Sequence, residues 1–142
     1  MSRINLAQAN AIIAGALAKG AEAGMKPLSV VVLDAGGHAI AFQRADGASF
    51  GRFQVASGKA AGALALGVSS RKVGEMAQDR PWFIGAFASG APHPVIPAAG
   101  AVIVVGADGQ PIGAVGVTGD TSDNDELAAL AGVAAAGLKA QG

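Results

Sequence analysis

The feature that most constrains the fold of this chain is a strand near its C-terminus with glycine at every third position. The segment from Pro111 to Leu127 reads PIGAVGVTGDTSDNDEL, so the strand breaks into an acidic, hydroxyl-rich turn before an alanine-rich helix. Glycine inside a strand marks a place where another backbone or a ligand approaches closely. The first turn of a helix presents unpaired N–H groups. We therefore expect this corner to form one wall of a small-molecule site.

The composition indicates one domain, residues 1–142, with an unusually apolar surface. Hydrophobic residues make up 51% of the 142 residues and charged residues only 14%, against about 25% charged in an average domain. Because so few charges cover a monomer poorly, we expect a homo-oligomer. The ten basic and ten acidic residues cancel, which argues against nucleic acid or an anionic membrane as a partner.

No targeting signal is visible in the sequence. Cysteine is absent, which excludes disulfides and thiolate metal ligands. The first residues lack the basic and apolar regions of a secretory signal, and no uninterrupted apolar run reaches about 18 residues. The sequence therefore predicts a cytoplasmic protein without a membrane partner, and a leader removed from a longer precursor stays open as an alternative.

The pattern of apolar residues predicts helices alternating with two hairpins. Asn5 and Gln8 form the signature of a helix start, and Gly24 with Pro27 ends that helix. The elements predicted after it are strands over 28–33 and 39–44, helices over 49–66, 70–78 and 81–88, strands over 101–105 and 112–118, and a helix capped by Ser122 or Asp123 that runs to about Leu138. Hairpins with helices segregated between them favour an α+β domain with an antiparallel sheet.

The two histidines are the side chains that titrate near neutral pH without help. His38 follows the first hairpin turn, where an exposed polar side chain is ordinary. His93 lies between prolines in the segment 90–97, which predicts an ordered loop with a stiff backbone, and we expect a base or an axial ligand there. The 55 residues from one histidine to the other and the absence of zinc-protease and EF-hand patterns predict no metal site.

Carboxylates and cations are the other candidates for chemistry. Asp120 and Asp125 follow the glycine strand and are candidates for ligand binding and proton transfer, although acids at a helix start also act as caps. Lys59 and Arg44 are candidates to hold a carboxylate, and Arg44 has a pairing with Asp46 as its alternative. The remaining candidate ligand-binding residues are Thr118 and Gly119.

Two segments resemble the GlcG/HbpS-type family of haem-binding and haem-degrading domains. The first is VVVLDAGGHAIAFQRADG at residues 30–47, and the second is DGQPIGAVGVTG at residues 108–119, followed by the acidic turn with Asp125 and Glu126. Lys59-Ala-Ala61, in the helix between them, completes a likeness that covers nearly the whole chain in the same order.

This resemblance implies a five-stranded antiparallel sheet flanked by helices, in a profilin-like layout, and homo-oligomers built from dimers. It implies haem binding in some members, with His38 and His93 as the expected axial ligands here. It also implies a related module in PduO-type corrinoid adenosyltransferases and, for other members, a place in small organic acid catabolism. The family's Gly-Gly-[Val/Leu]-Pro entry to the second hairpin is replaced by Pro97-Ala-Ala-Gly-Ala-Val102, whose methyl groups would narrow the space for a large planar ligand.

Three functions are consistent with these observations. The leading one is a protein that binds haem or a related tetrapyrrole. The alternative is an isomerase, hydratase or lyase of small organic acid catabolism, in which His93 or Asp125 moves a proton. Lys59 or Arg44 then holds the substrate carboxylate, and main-chain N–H groups near Gly119 stabilise an oxyanion. The third is an accessory oligomer with no chemistry of its own.

Overall fold

The computed structural model describes residues 2–142 as a central sheet with helices on both faces. The capping box predicted for the first helix is confirmed: Asn5 Oδ1 accepts from Gln8 N at 2.7 Å, and Gln8 Oε1 accepts from Asn5 N at 3.0 Å. The elements in chain order are α1 (Leu6–Glu22), β1 (Ser29–Asp34), β2 (Ala39–Arg44), α2 (Arg52–Leu66), α3 (Ser70–Asp79), α4 (Pro81–Gly90), β3 (Ala101–Val105), β4 (Pro111–Thr118), α5 (Ser122–Ala135) and β5 (Lys139–Ala140).

The sheet has five antiparallel strands in the order β2-β1-β4-β3-β5. Both predicted hairpins form, β1 with β2 and β3 with β4. They join through β1 and β4, where Ser29 lies opposite Thr118 and Asp34 lies opposite Gly113. The prediction of an α+β fold around a five-stranded antiparallel sheet is therefore confirmed.

The two faces of the sheet pack against different helices. Alternate side chains of each strand point to opposite faces and so contribute to different cores. Val30 and Val32 of β1 belong to the core under α1 and α5, whereas Val31 and Leu33 belong to the core under α2. Burial on both faces explains why this strand is apolar without alternation. Among residues 2–142, no helix combines the length and apolarity needed to cross a membrane.

The glycines of β4 allow neighbouring backbone segments to pack directly against the strand. A methyl group on Gly116 would collide with the main-chain carbonyl of Ala56 in α2, and one on Gly113 would collide with the backbone of β1. At Gly119, where φ is +138°, it would collide with the carbonyl of Pro27. Of the two possibilities for glycine in a strand, the close approach of another backbone or of a ligand, the structure shows the first, because these glycines let a helix and a loop pack directly against the strand.

Two helices begin at residues other than those predicted. Helix α2 begins at Arg52, three residues after the predicted start. Helix α5 is capped by Thr121, whose Oγ1 accepts from Asn124 N at 3.2 Å, and not by Ser122 or Asp123. The predicted caps are the first two residues of the helix itself.

The C-terminal helix also ends earlier than predicted. It stops at Ala135 and does not reach Leu138, because Gly137 adopts a left-handed conformation with φ of +71° that terminates helices. The next residues, Lys139–Ala140, pair with β3 as the fifth strand. A two-residue strand has no periodicity of its own, so only the family resemblance implied it.

Candidate functional site

The sheet separates the predicted site residues into two groups. At one end, His38 from the β1–β2 turn lies with His93 from the loop after α4; we call this the histidine end. At the other, Ser29 lies opposite both Arg44 and Thr118; we call this the arginine end. Five residue steps along a strand separate the two ends, roughly 17 Å. One chain therefore does not bring a His93 base beside an Arg44 carboxylate clamp, which is one of the combinations that the enzymatic alternative allows.

Both histidines line a single cavity of about 360 Å³ at the histidine end. Its apolar floor is a stretch of α2 containing Ala61, Leu64 and Ala65. Within residues 2–142, no group of three metal-ligating side chains is placed to hold a metal ion. Imidazole is nevertheless a common ligand for transition metals, so the cavity suits a metal that arrives within an apolar ligand.

The carbonyl of Pro94 fixes the tautomer of His93. The Nδ1 atom of the ring lies 2.9 Å from that oxygen. Because a carbonyl can only accept, the neutral ring carries its proton on Nδ1 and keeps the lone pair of Nε2 free. The flanking prolines restrict the loop backbone. The Nε2 atom of His93 is therefore available to bind a metal or to accept a proton.

Asp34 organises the turn that presents His38. Its Oδ1 accepts from Gly36 N at 2.9 Å and from His38 N at 3.0 Å. The bond from the His38 backbone is the main cause that lowers the pKa of Asp34. The same oxygen lies 3.5 Å from Nδ1 of the His38 ring, whose side chain is 85% exposed. The carboxylate favours a proton on Nδ1, so His38 also presents Nε2.

A buried ion pair between Lys59 of α2 and Asp125 of α5 lies beside the end of β4. The Lys59 ammonium lies 3.1 Å from Asp125 Oδ2 and donates to the Val117 carbonyl at 3.0 Å. Asp125 Oδ1 accepts from Asp120 N at 2.9 Å. Burial lowers the pKa of Lys59, and the attraction of Asp125 opposes that effect. Lys59 is 3% exposed and Asp125 is 2% exposed, so these two predicted site residues contact each other and not solvent.

Gly100 leaves the space through which Lys59 reaches its partners. With φ at +135°, a Cβ built on Gly100 would lie 2.5 Å from the Val117 carbonyl oxygen and 2.7 Å from Lys59 Nζ. The segment 97–102 therefore packs near the ion pair and does not line the histidine cavity. The narrowing expected from its alanines does not affect that cavity.

At the arginine end, Arg52 connects the start of α2 to β4. Its Nη1 donates to Thr118 Oγ1 at 2.9 Å, and its Nε donates to Ser49 Oγ at 3.1 Å. Arg44 is exposed and, within the described chain, forms no ion pair with Asp46. The hydroxyl of Thr118 and the cation of Arg44, two predicted ligand-binding groups, thus lie on one side of the sheet with a second arginine.

Asp120 connects the turn after β4 to the loop before β1 by a hydrogen bond. Its Oδ1 accepts from Lys26 N at 2.9 Å, and its Oδ2 accepts from Asn124 Nδ2 at 2.7 Å. The bond from the Lys26 backbone is the main cause that lowers the pKa of Asp120 to about 2. A carboxylate with so low a pKa is a weak base, and its two oxygens already have partners.

The other acids of this turn pair with Arg71 of α3. Its Nη2 lies 2.5 Å from Asp123 Oδ1, and its Nε lies 3.1 Å from both carboxylate oxygens of Glu126. These contacts raise the pKa of Arg71. The acidic cluster seen in the sequence is therefore divided among separate ion pairs.

Sequence reasoning did not single out Arg52 or Arg71, although each connects distant parts of the chain. Arg52 contacts a residue 66 positions away, and Arg71 contacts residues 52 and 55 positions away. The only signal in the sequence was the scarcity of basic residues, ten in the whole chain, which makes each one worth placing.

Comparisons with known proteins identify a family and several solved structures that share this fold. A family model described as haem degrading protein HbpS-like matches residues 4–134. A solved double mutant of HbpS from Streptomyces reticuli is 26% identical, with a TM-score of 0.81 over 94% of this chain and 87% of that one. Protein ORFY of Klebsiella pneumoniae is 25% identical, with a TM-score of 0.85 over 96% and 93%.

A third solved structure, a PduOC:heme complex, has a TM-score of 0.86 over 99% of this chain and 100% of that one. At 19% identity, that similarity shows a shared fold alone. Among curated protein sequences, none matches this chain.

We predict that breaking the Lys59–Asp125 pair destabilises the fold more than removing both charges together. Asp125→Asn leaves an ammonium buried without a counter-charge, which costs about 3–5 kcal/mol of unfolding free energy. Lys59→Met leaves a buried carboxylate and costs a similar amount. The double variant should lose less stability than either single variant, measured by urea unfolding followed by circular dichroism.

The control is Asp123→Asn, which removes an exposed carboxylate from the same turn and should cost less than about 1 kcal/mol. Strictly additive losses, or an Asp125→Asn loss no larger than that of the control, would show that the pair is not a coupled unit.

Proposed function

This chain belongs to the HbpS-like haem-degrading protein family, and on that basis we propose that it binds haem or a closely related tetrapyrrole at the histidine end. The observation that carries the proposal is that His38 and His93 line one cavity. The fold of this chain is also that of the PduOC protein solved as a heme complex.

The residues of the cavity fit the two chemical parts of such a ligand. The apolar floor formed by Ala61, Leu64 and Ala65 suits the face of a macrocycle, and an imidazole Nε2 suits its iron. When bound, haem supplies an iron centre whose reactivity depends on its axial ligand and the polarity around it. The cavity opens to solvent, so the charged edge of the ligand remains hydrated.

We infer that His93 would bind the iron and that His38 would have a supporting role. His93 is held by a hydrogen bond of 2.9 Å to the Pro94 carbonyl and by a proline-restricted backbone. A metal-binding histidine typically donates its other N–H to such an acceptor, which fixes the ring and raises its basicity. His38 is 85% exposed and lies 3.5 Å from its carboxylate partner, so its ring is held less firmly.

Titration with hemin tests this assignment. We expect a saturable, sharpened Soret band in the natural protein, and a dissociation constant raised about tenfold or more by His93→Ala, which corresponds to about 1.4 kcal/mol. His38→Ala should have a smaller effect. Absence of saturable binding, or equal affinity and spectrum in the double histidine variant, would contradict the proposal.

The exposed helix α4 supports a homo-oligomer as the functional form. Its sequence, PWFIGAFASG, has no charged residue, yet only Ile84 is buried and Trp82 is 70% exposed. A helix that is apolar all round is normally covered. Because the net charge of the chain is zero, copies of it do not repel one another. We therefore propose that a second copy covers α4.

We predict that Trp82→Glu shifts the protein toward the monomer by placing a charge in that interface. Size-exclusion chromatography with light scattering measures the mass. The control is Lys72→Glu, an exposed change on the neighbouring helix α3, which should leave the mass unchanged. A monomeric natural protein at micromolar concentration, or an unchanged mass for Trp82→Glu, would contradict this role for α4.

A further inference from the structure

A row of polar side chains crosses the arginine end of the sheet. Arg44 of β2, Ser29 of β1 and Thr118 of β4 lie side by side in the strand register. Ser29 alternates in phase with Val31, which belongs to the core under α2, so all three point to the α2 side. Arg52, at the start of α2, contacts this row because its Nη1 donates to Thr118 Oγ1 at 2.9 Å.

Both arginines of this row lack a counter-charge. Within residues 2–142, neither Arg44 nor Arg52 forms an ion pair. Two of the acids that follow Thr118 are already engaged: Asp120 accepts from Lys26 N and Asn124 Nδ2, and Asp125 accepts from Lys59. The row is therefore a local excess of positive charge in a chain whose total charge is zero.

Two further observations show hydrogen-bonding groups at this corner that lack an acceptor. Ser29 is 0% exposed, and its Oγ has no hydrogen-bond partner within the described residues. A buried hydroxyl without a partner costs free energy that an acceptor would recover. In addition, the N-cap residue of α2 is Gly51, which provides no side-chain cap, and the first N–H groups of a helix favour an anion.

We propose that this corner is a binding site for a small organic carboxylate. A planar guanidinium matches the two oxygens of a carboxylate in a bidentate fork, and the hydroxyls of Ser29 and Thr118 lie between the two arginines. The aromatic pair Phe42 and Phe53, packed edge to face at 4.9 Å, provides an apolar neighbour for the carbon part of the ligand. This site lies at the opposite end of the sheet from the histidine cavity and does not depend on tetrapyrrole binding.

Titration of the ¹⁵N-labelled protein with sodium acetate and sodium benzoate tests the proposal, with sodium chloride at equal ionic strength as the reference. We expect saturable shifts of the Arg52 Nε–H and Thr118 amide signals with the carboxylates alone. Arg52→Gln and Arg44→Gln should each weaken binding about tenfold or more, since each removes charge-assisted hydrogen bonds. The affinity of Arg52→Lys should lie between those of the natural protein and Arg52→Gln, because an ammonium keeps the charge but cannot form the bidentate fork.

The matched control is Arg3→Gln, which removes the same charge near the β1–β2 turn, at the far end of the sheet. Arg44 is exposed, so its variant retains the fold even if the Arg52 change disturbs α2. Equal affinity in Arg44→Gln, Arg3→Gln and the natural protein would overturn the proposal. Chloride shifts as large as those of the carboxylates, or tighter binding of inorganic phosphate, would overturn it as well.

Discussion

The arrangement of this molecule depends on a buried ion pair that joins the helices of both sheet faces. Lys59 reaches from α2 past Gly100 to the Val117 carbonyl and to Asp125 of α5. Burying two charges costs several kcal/mol per ion unless both are paired and hydrogen-bonded. Here the ammonium has a carbonyl as a second acceptor, and the carboxylate also accepts from Asp120 N. The pair therefore fixes where α2 and α5 sit relative to the end of β4.

That position of α2 creates two different environments at the two ends of one helix. Its first residue, Arg52, joins the polar row of the arginine end, and its later residues Leu64 and Ala65 form the floor of the histidine cavity. We propose a small anion as the ligand of one end and an apolar ligand that carries a metal as that of the other. Because the two ends are separated by most of the strand length, roughly 17 Å, a ligand at one end leaves the other accessible.

The sequence predicted the fold where the controlling interactions are local. The Asn5–Gln8 capping box and the two hairpins follow from residues a few positions apart, and both were confirmed. The arrangement of the functional residues was harder to predict from the sequence. The strand register places His38 apart from Arg44, and packing buries Lys59 against Asp125. The spacing of apolar residues along the chain does not indicate which residues meet over such long distances in sequence. For the same reason, the sequence could not decide whether the glycines of β4 make room for another backbone or for a ligand, and the structure shows backbone beside them.

The central claim, that a tetrapyrrole occupies the histidine end and leaves the arginine end free, is tested most directly by paramagnetic broadening. Ferric haem added to the ¹⁵N-labelled protein broadens the amide signals of residues near its iron. We expect the signals of Gly37 and Leu64 to disappear while those of Ser29 and Thr118 remain sharp. Broadening at Ser29 and Thr118 with sharp signals at Gly37 and Leu64 would contradict the claim.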